Sequence, residues 1–199
     1  MKGAQARASL PVYEPTIRTR LENARHTRLR GAQAQPQAGL SPRHARPSDA
    51  PAIHALLQHF VAHGKLLPRT LEQVYRQVRD FMVVEENDAI VACGALRIYS
   101  ETLAEVGALA VDRRWHGRGL GRRVVESLKA EAQALGMERV FALTLEESFF
   151  QRLGFHRVSI EEFPAKIAQD CASCSRRPTC IEIAVVHELA TSPSCAEKP

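Results

Sequence analysis

At 199 residues and a formal charge of +5, the chain is long enough to close one hydrophobic core without disulfide staples and short for two ordinary domains. No apolar run approaches the ~20 residues of a membrane-spanning helix, and the basic N-terminus lacks the apolar segment of a secretory signal, so a cytoplasmic protein is expected. The charge is lopsided: Met1 to Arg46 is rich in Arg, Gln, Ala and Pro, and the remainder is closer to neutral.

In chain order, residues 1–39 read as a basic disordered tail. They lack the interleaved aromatics and the dense Lys/Arg block of a nucleic-acid arm, so neither nucleic acid nor membrane is expected as a partner. Leu40 to Arg46 reads as an edge strand. Ser48 is the expected N-cap of a helix with Pro51 in its first turn and an apolar stripe of Ile53, Leu56, Leu57, Phe60 and Val61. Thr70-x-x-Gln73 has capping-box form and opens a second helix carrying Leu71, Val74, Tyr75 and Val78. Phe81 to Glu85 and Ala89 to Ile98 read as strands joined by Glu86-Asn87-Asp88, a hairpin signal. Glu105 to Val111 is a further strand, and Leu120 to Leu135 a helix with Leu120, Val124, Leu128 and Leu135 on one face. Gly136 is its expected C-cap, Arg139 to Leu145 the next strand, and Ile181 to Val186 the last. The order β-α-α-β-β-β-α-β-α-β describes an α/β protein, a mixed sheet with helices on both faces.

The segment Val111-Asp112-Arg113-Arg114-Trp115-His116-Gly117-Arg118-Gly119-Leu120-Gly121 links a strand to a helix through glycines and arginines. Main-chain N–H groups at a helix N-terminus, the positive end of its dipole and added guanidinium charge together make an anion site, and a phosphate-bearing ligand suits it. A Rossmann fingerprint is excluded because Arg122 falls where its third glycine belongs, and no P-loop sequence occurs. Ser148-Phe149-Phe150-Gln151-Arg152-Leu153-Gly154-Phe155 then follows the next strand as a short helix and turn.

His116-Gly117-Arg118-Gly119-Leu120-Gly121 resembles the coenzyme A pyrophosphate loop of the GCN5-related N-acetyltransferases (GNAT), with His in place of the usual Arg or Gln. Together with Ala104 to Val111, Val140 to Thr144 and the paired phenylalanines, the chain looks most like the acetyltransferase domain of N-acetylglutamate synthases, in their short stand-alone form, over roughly Leu40 to Leu189. The resemblance implies an acetyltransferase domain over 40–190, a C-terminal tail over 191–199, and acetyl-CoA as the acetyl donor. It implies a GNAT fold: a mixed, mostly antiparallel central sheet with helices on both faces and a splayed parallel pair, the strands Glu105 to Val111 (β4) and Arg139 to Leu145 (β5). The acceptor would be a small-molecule amine, in particular the α-amine of L-glutamate, in the first step of arginine biosynthesis. Homodimer formation is left open. Rival readings are a GNAT enzyme for another small-molecule or peptide amine, and a non-catalytic acyl-CoA-binding module.

The resemblance also assigns sites. The cofactor would lie against Leu109, Ala110, Val111, the loop His116, Gly117, Arg118, Gly119, Leu120, Gly121 and Arg122, and Phe150. Phe150 stands where most relatives carry a Tyr that protonates the leaving thiolate, which a Phe cannot do. Glu105 falls at a glutamate proposed as general base; a carboxylate is a weak base toward an ammonium, so it would act through water or with help from burial. Ser148 or an ordered water is the candidate acid. Arg69 resembles the Arg that grips a substrate carboxylate, and Arg guanidinium pairs both carboxylate oxygens at once. Arg97, Thr144 and Arg177 are further acceptor-side candidates, with Lys166 a further cation. No metal is assigned. Cys171-x-x-Cys174-x5-Cys180 is half of a zinc pattern that His187 or Cys195 could complete; the alternative is free or redox-labile thiols.

Overall fold

Hydrophobic alternation and one tight hairpin organise a seven-stranded sheet in the computed structural model of the protein, which describes residues 40–190. The predicted tails at 1–39 and 191–199, with Cys195, lie outside the described residues. The strands are β1 (Arg43–His44), β2 (Phe81–Glu86), β3 (Ala89–Ile98), β4 (Leu103–Val111), β5 (Arg139–Thr144), β6 (His156–Val158) and β7 (Ile183–Glu188), in the spatial order β1-β2-β3-β4-β5-β7-β6. Neighbours are antiparallel except β4 and β5, which are parallel. The β2–β3 hairpin closes on Asn87 and Asp88 with φ of 50° and 61°, the paired left-handed residues that match the twist of a two-residue turn.

Helices cover both faces, as the hydrophobic pattern requires. On one face lie α1 (Ala50–Ala62) and α2 (Leu71–Arg76), burying Ile53, Leu57 and Val74 against Phe81, Val83 and Cys93. The capping box of α2 is reciprocal: Gln73 N–H donates to Thr70 Oγ1 at 3.1 Å, and Thr70 N–H to Gln73 Oε1 at 2.8 Å. On the other face α3 (Leu120–Ala134) buries Leu120, Val124, Val125, Leu128 and Ala132. It can approach the sheet because Gly94 lies beneath it: a Cβ there would stand 2.7 Å from Val124 Cγ1.

Several boundaries differ from the sequence reading. The edge strand shrinks to two residues, because Ala45 makes one last bond to Phe81 and Pro47–Asp49 then form a 3-10 turn. Ser48 lies inside that turn, so Asp49, held by Arg43 and by Arg46 N–H, precedes α1 instead. Leu135 caps α3 and is exposed, since Gly136, with φ of 80°, turns the chain away. β4 starts two residues early, β5 stops at Thr144 and the last strand is shifted to Ile183–Glu188. Strand β6 has no counterpart in the predicted order. After α4 (Glu147–Gln151) and β6, a short helix α5 (Pro164–Lys166) runs into a π-helical turn, Ile167–Cys171, closed by Ala172 N–H on Ile167 O at 2.8 Å.

Candidate active site

The site begins with a defect in the sheet. β4 pairs with β5 only through Leu103, Ala104 and Glu105, and the strands then part. On its other side β4 carries a bulge: Cys93 faces Ala110 and Ala95 faces Gly107, so Ala108 and Leu109 share one partner position. Ala108 takes φ of 49° to make it, a left-handed conformation that costs a non-glycine residue energy and is retained only where the surroundings enforce it. Cys93 contributes to that enforcement: its buried thiol, pushed up to about 12 by burial and hence inert, donates to Ala108 O at 3.8 Å. The bulge and the splay together leave main-chain groups of Gly107 to Val111 facing a gap instead of a partner strand.

Below this gap the glycine loop enters α3. Gly117 and Gly119 both have φ of 75°, with open space where a Cβ would project. Gly119 is the N-cap of α3, so the unpaired N–H groups of the first turn face the groove. Gly121 admits Phe149, whose Cζ would lie 3.4 Å from a Cβ there. Asp112 anchors the loop's start: its carboxylate, brought down to about 2 by hydrogen bonds from the Arg114 side chain and N–H, ties the 3-10 turn Arg113–Trp115. The result is a groove of about 800 Å³ lined by Leu109, Val111, His116, Gly117, Gly119, Leu120, Gly121, Arg122, Thr144 and Phe150 among others.

A second cavity of about 420 Å³ opens beside it, and Leu66, Gly107, Ala108, Leu143 and Glu182 line both. Its walls hold Arg69, Glu105, Lys166, Asp170, Arg177, Cys171, Cys174 and Cys180. Arg69 donates to Gln77 Oε1 at 2.6 Å and has no carboxylate within ion-pair distance among the described residues. Burial, then the neighbouring Arg97, lowers its pKa, so an anion arriving there would be welcomed. Its carbonyl is fixed by His54 and Gln58 from α1.

Glu105 is 6% exposed and not free. Lys166 Nζ lies 2.7 Å from its Oε1 and 3.0 Å from Asp170 Oδ2, and the Tyr99 hydroxyl is 3.0 Å from Glu105 Oε2. Tyr99 also donates to Asp170, and Arg97 lies 3.0 Å from the same carboxylate oxygen. Burial opposes ionisation of Asp170, but hydrogen bonds from Tyr99 and Lys166 outweigh it and hold the carboxyl below its usual range. Burial, followed by the charge of Glu105, drives the Tyr99 hydroxyl well above its ordinary pKa and keeps it protonated. A single phenolic proton can serve only one of the two carboxylates at a time.

The structure therefore gathers most sequence-predicted residues around one junction and relocates others. Ser148 is exposed on α4 and lines neither cavity, so it is not placed to hand a proton to the reaction. His116 donates its Nε2 proton to Val111 O at 2.9 Å, and Arg122 lines the groove beside the loop. Arg118 stacks its guanidinium 4.5 Å over Trp115 and faces a separate small cavity with Leu40 and Arg123. Ala110 points to the α1 face and packs in that core. Thr144 belongs to the cofactor groove, and its Oγ1 accepts from Glu146 N–H. Phe150 is buried edge-on to Phe149 and Phe155 at the groove wall. Arg97 pairs with Asp170 instead of lining the second cavity. Tyr99, Asp170 and Gln77 were not singled out in the sequence; their roles depend on approaches between distant segments. Among the described residues, no three His, Cys, Asp or Glu side chains converge as metal ligands.

A splayed parallel strand pair, a bulged β4 and a glycine loop at the mouth of α3 define an acyl-CoA-binding transferase fold. Comparison with known proteins makes this specific. An acetyltransferase (GNAT) domain family matches residues 77–157. An uncharacterized N-acetyltransferase of Chlorobaculum tepidum is 37% identical over 154 residues, spanning 77% of this chain and 99% of that protein. An amino-acid acetyltransferase of Mycobacterium tuberculosis is 40% identical over 120 residues, 58% of this chain and 68% of that one. The N-acetylglutamate synthase of Neisseria gonorrhoeae, solved with coenzyme A and N-acetyl-glutamate, superposes with a TM-score of 0.69 at 27% identity, over 75% of this chain and 35% of that one. The chain belongs to the GNAT N-acetyltransferases; it is an N-acetyltransferase, and acetyl-CoA is its acetyl donor.

Proposed function

We propose that the protein acetylates the α-amine of L-glutamate, forming N-acetylglutamate as arginine biosynthesis begins. The observation that carries this reading is the acceptor cavity: it meets the cofactor groove at Gly107, Ala108 and Leu143, presents Arg69 with a neutral side-chain partner, and has Arg177 elsewhere in its lining. An amino acid placed there directs its carboxylates to guanidinium groups and its amine toward the β4–β5 gap. The relatives named amino-acid acetyltransferase and N-acetylglutamate synthase support the same class of acceptor.

The chemistry then follows from position. Acetyl-CoA lies with its diphosphate on the amides of Gly117 to Gly121 and its thioester at the gap, where main-chain N–H groups stabilise the tetrahedral oxyanion. The amine must lose a proton before it attacks the carbonyl carbon. Glu105 is a buried carboxylate on the cavity wall, and Lys166 links it to Asp170, a second wall carboxylate with 28% side-chain exposure. Attack gives a tetrahedral intermediate, whose nitrogen gives up its second proton to solvent and whose collapse breaks the carbon–sulfur bond to leave the amide. The thiolate departs without a tyrosine, since Phe150 supplies no proton, and takes one from solvent. Holding both reactants in register supplies much of the rate.

The test is release of free thiol from acetyl-CoA across a panel of amino acids and amines. Glutamate should be turned over best, with activity collapsing in Arg69→Ala and Glu105→Gln. Turnover of another amine with glutamate inert, or no turnover of any amine despite tight acetyl-CoA binding, would overturn the proposal.

A further inference from the structure

Cys171, Cys174 and Cys180 take no part in the acetyl transfer described above, yet all three line the acceptor cavity. None is in a disulfide, and Cys171 and Cys174 are only half-buried. They do not converge as metal ligands with any third side chain among the described residues. What they do share is a turn. Cys174 N–H donates to Cys171 O at 3.2 Å, an i to i+3 closure. Such a turn holds its end Cα atoms within about 7 Å, overlapping the separation of about 4.4–6.8 Å that a disulfide spans.

The residue before this turn is the hub of the acceptor wall. Asp170 accepts from Lys166, Arg97 and Tyr99, and Lys166 in turn holds Glu105. Asp170 and Cys171 both belong to the π-helical turn Ile167–Cys171, and such i to i+5 turns are strained insertions often found at functional sites. A bond between Cys171 and Cys174 must draw their Cβ atoms to roughly 3.8 Å. That movement is transmitted one residue upstream to the Asp170 carboxylate.

We infer that Cys171 and Cys174 form a reversible thiol-oxidation site, whose disulfide disorganises the acceptor wall through Asp170. The oxidant is hydrogen peroxide. The Cys174 thiolate attacks a peroxide oxygen, the O–O bond breaks, and water and a sulfenic acid form. The Cys171 thiol, pushed up by burial and therefore the poorer first nucleophile, then attacks the sulfenic sulfur and releases a second water. Two thiols lose two electrons and two protons, and the peroxide takes up both. A dithiol restores the reduced pair by exchange. The loss of acceptor turnover rests on the acceptor-site reading above; the existence of the disulfide does not.

The experiment treats the full-length protein with hydrogen peroxide, blocks free thiols and maps peptides by mass. A Cys171–Cys174 disulfide is expected, two hydrogens lighter than the dithiol and reversed by dithiothreitol. Oxidation should cut acceptor turnover about tenfold or more, as misplaced reacting groups do, while CoA affinity stays unchanged. Cys174→Ser should abolish the oxidised-to-reduced activity difference, and Cys180→Ser should retain it. Thiols that stay free, or that pair with Cys180 or Cys195, overturn the inference. So does a disulfide that forms without altering turnover, or stoichiometric zinc bound by these thiols and lost in Cys174→Ser. If glutamate proves not to be the acceptor, mapping and CoA affinity still decide the thiol pair, and turnover is read with whichever amine the panel identifies.

Discussion

Gly119→Asp tests the cofactor site most directly. Gly119 caps α3 with φ of 75°, lines the groove, and has nothing within 4 Å of the place a Cβ would occupy. A side chain there meets no steric barrier and projects toward the groove in which the proposed diphosphate would lie. An added charge about 6 Å from a phosphate charge costs roughly 0.7 kcal/mol in water and about 2.8 kcal/mol at an effective dielectric constant of 20. The groove is open, so the lower half of that range applies to each of the two phosphates, about 1.4–3.5 kcal/mol together, and CoA affinity should fall about 10- to 400-fold. Backbone strain confounds the comparison, because a left-handed position costs any L-residue about 1–2 kcal/mol. Gly119→Asn removes the confusion: Asn tolerates the same conformation, matches Asp in shape and carries no charge. Calorimetric titration with CoA should show Asn binding substantially tighter than Asp, and the gap should narrow as salt screens the charge. Equal affinities for the two variants at low salt would refute the placement of the diphosphate against this loop.

Other tests address the packing and the charge network. Gly94→Val forces a side chain into Val124 Cγ1, which a Cβ alone would approach to 2.7 Å; urea unfolding should show a loss of about 1–3 kcal/mol from overpacking. Lys166→Met strands the Glu105 carboxylate in a site where the two side chains are 11% and 8% exposed. It should cost about 3–5 kcal/mol, whereas adding Glu105→Gln should recover much of that loss in a double-mutant cycle; simple additivity would deny the coupling. The Asp170 carboxyl is depressed on folding, so its stabilisation is fully present above its unfolded pKa and is lost as pH falls through the lower folded value. Asp170→Asn should therefore melt at a lower temperature than the unaltered protein at pH 7, and the two should converge as pH falls below the ordinary carboxyl range. A constant difference in melting temperature across that range would remove Asp170 from the network.

What the sequence revealed follows the range of the interactions concerned. The capping box of Thr70 and Gln73, the Asn87-Asp88 turn and the Gly117–Gly119 loop are set by residues within a few positions of one another and appear as expected, while Gly136 supplies the left-handed turn one residue past the actual C-cap, Leu135. The α3 stripe was legible at Leu120, Val124 and Leu128, but Leu135 was misassigned because the helix stops one residue earlier. Residues 156–180 carried no periodic signal. They form a three-residue strand, short 3-10 turns and a π-helical turn, none long enough for a hydrophobic repeat to register.

The candidate site divides along the same line. Its cofactor half is local: one bulged strand, one loop and one helix N-terminus, adjacent in sequence between Gly107 and Arg122. Its acceptor half is assembled from residues far apart, Arg69 from the segment before α2, Glu105 from β4, and Lys166 and Asp170 from the irregular stretch before β7. Glu105 and Lys166 are 61 positions apart, and no spacing rule connects them. That asymmetry has a chemical counterpart. Every acyl-CoA presents the same diphosphate and pantetheine, so a compact motif suffices to hold it, whereas each acceptor needs its own constellation of charges. Building that constellation from a segment with short, weakly repetitive elements lets the acceptor wall change without disturbing α3 or the β4–β5 splay. It also places the wall beside the Cys171–Cys174 turn, so that on the proposed reading the part of the enzyme that selects the amine is the part a change in thiol chemistry would disturb.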